Sequence, residues 1–194
     1  MMDTIKDFRG QYKFLSNFYS PCPVTYDGMT YQSTEHAYQA AKFTDKKLRI
    51  MIQKEETPAG SKKTAHKLEV EGNRRDDWND IKIDVMSGLV TQKFMRYDDL
   101  KTKLINTGTA RLIEGNTWHD NIWGDCSCPR CVGITGQNHL GKILMQVRKD
   151  IIILTLKELI GSTRECTPEE KLEREKELET MSYEDLWKKF GLEP

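Results

Sequence analysis

Glu35, Gln39 and Lys42 are spaced four and three residues apart within the segment 33–42. On a helix those positions form one stripe on one face. A carboxylate, an amide and an amine then point the same way, with Tyr38 beside them. Such a set can exchange protons, and the amine can stabilise charge or act as a nucleophile. The same stripe also suits a solvated helix face, where Glu35 is a first-turn acid favoured by the helix dipole.

Three further clusters hold reactive or sticky groups. Trp118 and Trp123 lie in a polar loop with His119, Asp120 and Asp125. Indole planes stack on nucleobases, or they plug a core beneath a long loop. Gly133 and Gly136 lead into Asn138, which is placed to cap the longest helix. Free N–H groups at such a helix start attract phosphate, although an ordinary capped helix has the same look. Cys126, Cys128 and Cys131 bring three thiols within six residues. They fit a structural zinc whose fourth ligand is His119, His139, Asp125 or Cys22, or they are plain loop thiols.

These groups need a scaffold. Asp27-Gly28 between two strand-like triplets predicts a two-residue hairpin, because both turn residues must take positive φ. The surrounding first 32 residues read as extended, with Pro21 and Pro23 at an edge or in a loop. Ser33 is a good N-cap for a helix running to Phe43. Further helices are expected near 45–54, 58–67, 76–95 and 98–106, and Trp78, Ile81, Val85 and Leu89 recur at helical spacing. A short strand follows at 110–114. Residues 115–138, with Gly115, Gly124, Gly133, Gly136 and Pro129, read as loop. A long helix over 139–160 carries the apolar stripe Leu140, Ile143, Leu144, Val147, Ile151 and Leu154. Thr167 and Pro168 then open a polar helix to about residue 180, and Leu186, Trp187 and Phe190 offer a small apolar anchor.

The 194 residues carry 30 basic and 30 acidic side chains, with 37% hydrophobic and 31% charged residues. That composition fits a globular chain with a core. No run approaches the ~20 apolar residues of a membrane span. The tail, 162–194, holds ten acids and six bases, which leaves the body mildly basic. No dense basic run exists to hold duplex DNA by charge alone. Five cysteines, an odd number, and a charged start without an apolar leader point to a reducing cytoplasm.

Read in order, residues 8–10, 14–18, Asp27-Gly28, 31–36, 39–43, Trp78, Lys93-Phe94, 123–125 and 136–141, with Leu144, Met145 and Arg148, resemble a known family. It is the NADAR (NAD- and ADP-ribose-associated) family, also called YbiA-like, and the resemblance covers roughly residues 5–155. It implies an α+β, mainly α-helical fold in one compact domain, here over 1–161 with the short N-terminal hairpin, and the acidic helical extension over 162–194 lies outside the resemblance. It also implies an N-glycosidase that needs no cofactor for catalysis. Relatives of this kind hydrolyse phosphorylated riboflavin-pathway intermediates, or remove ADP-ribose from guanine in DNA, often as antitoxins paired with a DNA-modifying toxin. The expected substrate partner is therefore ADP-ribosylated nucleic acid or a nucleotide-like small molecule.

By the same resemblance Glu35 is the essential acid/base. Lys42, Asn17, Trp123 and Asp125 are pocket residues, with Asp125 as a reserve acid. Lys42 either attacks C1 to form a Schiff base or only places charge. Phe18 and Trp123 are expected to sandwich the base or the nicotinamide-side ribose, and Asn17 to bond a ribose hydroxyl. Gln39, Trp78, Lys93 and Asn138 complete the expected binding set. The stretch between Asp125 and Gly136, with Cys126, Cys128 and Cys131, departs from the shorter relatives. Two rival readings remain: a non-catalytic ADP-ribose reader, and a zinc-stabilised nucleic-acid adaptor.

Overall fold

The structure is a computed structural model, and it describes residues 3–162 and 167–190. Cys166 therefore lies outside the described residues. Among these, helices dominate: α1 (Thr34–Ala40), α2 (Lys46–Gln53), α3 (Pro58–Val70), α4 (Trp78–Arg96), α5 (Asp98–Ile105), α6 (His139–Ser162), α7 (Pro168–Thr180) and α8 (Tyr183–Phe190). The strands are short and pair in twos. β1 (Thr4–Ile5) runs parallel to β4 (Arg111–Leu112), β2 (Val24–Tyr26) antiparallel to β3 (Met29–Tyr31), and β5 (Gly115–Asn116) parallel to β6 (Asp125–Cys126). The fold is thus α+β and mainly helical. Among the described residues no helix is long and apolar enough to cross a membrane.

Local chemistry explains most of these boundaries. The side chain of Ser33 accepts the amide of His36, Asp45 that of Lys47, and Thr57 that of Gly60. Pro58 follows at the first helical position, where its missing N–H costs nothing. Asp27 and Gly28 take φ of 46° and 73°, as a two-residue hairpin demands. The amide of Gln92 on α4 pairs with both backbone groups of Thr25, so the hairpin edge is tied to the helix beneath it.

Two expectations are corrected. Residues 10–15 form a 3-10 helix rather than an extended segment, burying Phe14 and Leu15. And α1 ends at Ala40, so Lys42 sits in the turn that follows. The short α1 is the centre of the molecule: all seven of its residues are buried, and it packs on α2, α3 and α4. A helix buried all round is a core element and not an amphipathic surface one, which removes the solvated-face reading of Glu35 and Gln39.

The tail packs onto the body. Leu178 and Leu186 are buried against Ile152 and Leu156 of α6, flanked by Met181, Tyr183 and Trp187. A full capping box joins Thr167 and Glu170 at the start of α7. Phe190, expected in the anchor, stays at the surface.

Candidate active site

A cleft of about 380 Å³ opens over the buried face of α1. Glu35 lies in its wall, 5% exposed. Burial pushes its carboxyl above the usual range, and only partly is this opposed by the hydrogen bond from Gln39 Nε2 to Oε1 at 2.7 Å. Helical spacing puts donor and acceptor one turn apart, so the bond fixes the carboxyl's rotamer. The backbone N–H of Glu35 donates to Asn17 O, which binds the loop before the hairpin to the start of α1.

Of the expected residues, Asn17, Phe18, Glu35, Gln39, Lys42, Trp78 and Trp123 all line this cleft. Trp78 and Trp123 flank Tyr38, with ring centroids 5.0 and 5.3 Å from it, which makes an aromatic wall. Phe18 and Trp118 are about half exposed, at 40% and 53%. Lys42 is ion-paired: Nζ is 2.9 Å from Glu69 Oε2. An ammonium held this way is a fixed positive charge. To act as a nucleophile it must first leave Glu69 and lose a proton.

Three expected residues lie elsewhere. Lys93 is fully buried behind the wall, where Nζ donates to Ser16 O at 2.9 Å and lies over the rings of Tyr19 and Phe94. Burial brings its pKa down to about 8. Asp125 faces away from the cleft, and its carboxylate accepts the amide of Gly136 at 2.8 Å. Asn138 is buried between Glu114 N and Leu112 O, holding both with its side-chain amide. These residues act as supports for the site's backbone.

The glycine-rich loop before α6 is not an open phosphate cradle. The successive amides of Gln137, Asn138, His139 and Leu140 donate to the carbonyls of Asn121, Gly124, Ile122 and Trp123. The helix-start donors that phosphate needs are already used by the protein's own chain.

Sequence reasoning missed Glu114. It lines the cleft, and its Oε2 is buried without a hydrogen-bond partner. Its pKa is pushed up to about 7, first by burial, then by the charges of Asp120, Asp7 and Glu35, with Arg9 opposing. The supports just described converge on it: Asn138 Oδ1 takes its N–H, and the Asp125 amide donates to its carbonyl. An acid continuing the apolar pair Leu112-Ile113 is the one signal the sequence offered. Asp120 also lines the cleft, and its Oδ1 caps the amides of Ile122 and Trp123. Lys62, Arg74 and Lys82 add positive charge to the lining.

A second chamber of about 460 Å³ adjoins the first. The two share Ser16, Phe18, Lys62, Glu114 and Trp118, and the second adds Arg9 and Lys13. The site is therefore an elongated groove, acidic at Glu35 and Glu114 and bordered by basic groups.

Known proteins share this arrangement of sequence and fold. The NADAR domain family matches residues 5–152. N-glycosidase YbiA of Escherichia coli (strain K12) is 32% identical over 158 residues, covering 79% of this chain and 92% of that protein. A riboflavin biosynthesis protein of Vibrio vulnificus (strain YJ016) is 37% identical over 138 residues, which are 71% of this chain and only 35% of that longer protein. The NMR structure of E. coli YbiA superimposes with a TM-score of 0.67 at 32% identity, covering 80% of this chain and 89% of that one. A family match over most of the sequence, and a fold shared with one of its named N-glycosidases, place the chain in the NADAR domain family.

Proposed function

We propose that this protein hydrolyses a ribose C1–N bond, and that its substrate is ADP-ribose attached to guanine in nucleic acid. The enzyme class comes with the family: relatives matched over most of their length are named N-glycosidases, and N-glycosidases are hydrolases. The observation that carries the mechanism is the pair of raised carboxyls, Glu35 and Glu114, in one cleft.

Breaking a ribosyl C1–N bond leaves the electron pair on nitrogen and positive charge on the sugar. Two carboxyls in different environments divide that work, as in other glycoside cleavages. Glu114, half protonated near neutrality, donates a proton to the departing base. The hydrogen bond from Gln39 and the charges of Lys62 and Lys42 oppose the effect of burial on Glu35 and favour its carboxylate, which stabilises the cationic sugar and accepts a proton from the water that attacks C1. Lys42, as an ion-paired cation, stays electrostatic in this scheme. Tyr38, Trp78 and Trp123 give the base or ribose an apolar wall.

The elongated groove supports the larger substrate. A ribosyl phosphate fills one chamber, whereas ADP-ribose needs a second space and cations for a diphosphate. Lys62 stands in both chambers, with Arg9 and Lys13 beyond. The exposed rings of Phe18 and Trp118 suit stacking on an unpaired base. The Vibrio relative's name favours a second reading, hydrolysis of a phosphorylated riboflavin-pathway intermediate. One experiment separates them. The protein is incubated with ADP-ribosylated guanine DNA, ADP-ribosylated thymine DNA and phosphoribosyl riboflavin intermediates, and release of free base or amine is measured. Cleavage of the guanine adduct alone is expected. Cleavage confined to the riboflavin intermediates establishes the second reading, and binding without cleavage of any substrate makes the protein a reader.

A further inference from the structure

The cysteine loop carries a site that the hydrolytic chemistry does not use. Cys126, Cys128 and Cys131 form their own buried cluster, 4%, 8% and 2% exposed. His119, seven residues before the first of them, turns its ring onto the cluster. His119 Nδ1 lies 3.0 Å from Cys131 Sγ and 3.8 Å from Cys128 Sγ, and the two sulfurs are 3.5 Å apart. Ligand atoms around a tetrahedral zinc, at metal–ligand lengths of about 2.0–2.3 Å, stand about 3.5–3.8 Å from one another. A disulfide needs about 2.05 Å between sulfurs, so these are separate thiols at coordination spacing. His119 Nδ1 and the sulfurs of Cys128 and Cys131 all lie within 4.8 Å of one another, and Cys126 Sγ, which accepts the backbone amides of both His119 and Cys128, borders that trio as the fourth donor in the same buried cluster.

We propose that His119, Cys126, Cys128 and Cys131 bind one structural Zn²⁺ through Nδ1 and three thiolates. The fold selects His119 from the sequence-level options. His139 bonds Gln137 and faces Trp123, Asp125 holds Gly136, and Cys22 is buried in the main core. Three sulfurs and an imidazole match zinc's preference and leave no open position for water or substrate. The surrounding groups are already aligned: besides the two amides on Cys126, Asn121 Nδ2 donates to Cys131 Sγ at 3.1 Å. Such N–H···S contacts orient thiolates and offset their charge. Binding releases the three thiol protons to solvent, and no electron is transferred.

The position gives the metal a task. Between and beside its ligands lie Trp118, Asp120, Ile122 and Trp123, which line the cleft. His119 takes φ 68°, a left-handed state uncommon for a non-glycine residue. A zinc at this cluster clamps the loop that forms one wall of the groove, without touching the reacting atoms. The proposal stands whether or not the groove hydrolyses ADP-ribose.

The test uses the full chain purified without chelator from zinc-replete cells. Elemental analysis is expected to find about one zinc per chain. Chelation under reducing conditions is expected to release it, free three additional titratable thiols and lower the melting temperature by several degrees. Cobalt added to the stripped protein is expected to give tetrahedral visible bands and thiolate charge-transfer absorption. Cys128→Ser and His119→Ala should weaken cobalt binding at least tenfold, while Cys22→Ser should bind as wild type does. Metal-free protein whose reduced form gives no cobalt spectrum overturns the proposal, and so does iron in place of zinc. Cobalt bands that persist unchanged in Cys128→Ser also overturn it, and that spectral readout does not depend on the variants being active.

Discussion

Glu35 shows how little charge a site needs when burial does the tuning. One carboxyl at 5% exposure, one amide bond and a nearby cation define its state. Glu35→Gln keeps its shape and removes the proton acceptor, so kcat should fall about 10²–10⁴-fold with folding intact. Steady-state turnover together with a thermal melt checks this, and wild-type turnover in a folded variant removes Glu35 from the chemistry. Glu114 makes a separate prediction through pH. Its folded pKa, about 7, lies above that of an unfolded glutamate. The native state therefore binds the extra proton between about pH 4.3 and 7, and stability falls as pH rises through that window. Glu114→Gln should abolish that fall, which at about 1.4 kcal/mol per unit totals at most about 3–4 kcal/mol, and relative to wild type the variant should be more stable at pH 8 than at pH 5. If Glu114 is the acid, activity also declines above pH 7 in the wild type, and a pH–rate profile of the Gln variant should lose that limb. A basic limb that survives in the variant assigns the proton to another group. Glu35 was legible as a candidate through the Ser33 cap and the family resemblance, since spacing alone suited a solvated face as well and Lys42 of the stripe lies beyond the helix. Glu114 was not, because its shift arises first from burial and then from the charges of Asp120, Asp7 and Glu35, all of which packing alone creates.

At the level of elements, the helices were largely readable and the loops were not. Capping residues and apolar spacing mark α2 to α6 to within a few residues, since those signals are local. β4 falls within the strand expected at 110–114, whereas β1, β5 and β6 exist only because separate segments meet in parallel, and nothing local requires them. The same holds for the turn before α6. From sequence it looks like a phosphate loop, yet its amides are used by residues 121–124 across the fold. Gly136 is the tightest point of that contact. A Cβ there would stand 2.2 Å from Gly124 O and 2.6 Å from Asp125 Cα, both backbone atoms. Gly136→Ala must push the two segments apart and should cost about 1–3 kcal/mol, a fall of about 2–4 °C in Tm per kcal/mol for a chain this size. Because the displaced segment carries Trp123, KM should rise as well. Gly161→Ala in α6 meets nothing within 4 Å and serves as the control, neutral or slightly stabilising. Equal melting temperatures for the two variants would show that the close approach is not structural.

Across the whole molecule, the neutral net charge conceals a division of labour. Among the described residues, none of the acidic tail lines the groove, and the lining comes from the mildly basic body. What the described part of the tail does is cover α6. Leu178 and Leu186, 2% and 0% exposed, close over Ile152 and Leu156. Tyr183 stacks on the buried guanidinium of Arg148 at 4.6 Å and donates to Gly108 O at 3.0 Å, and Trp187 rests on Gly108. The surface ion pair of Lys157 with Glu179 adds little, because exposed pairs are worth at most about 1 kcal/mol. The tail is therefore a stabilising strap whose value lies in apolar burial at one end of α6, far along the helix from the residues beside the cleft. Deleting 163–194 exposes Ile152 and Leu156 and unstacks Arg148, so the melting temperature should drop and the truncated protein should self-associate more readily. Its bond-cleaving rate, measured on the monomeric fraction below the new melting point, should stay within a few-fold of the full chain. A truncated protein that melts cooperatively yet has lost all turnover would mean that the strap holds the groove's geometry through Arg148 and the 107–110 turn. An Arg148→Lys variant of the full chain, which loses the planar stack but keeps the charge, should then reproduce that loss.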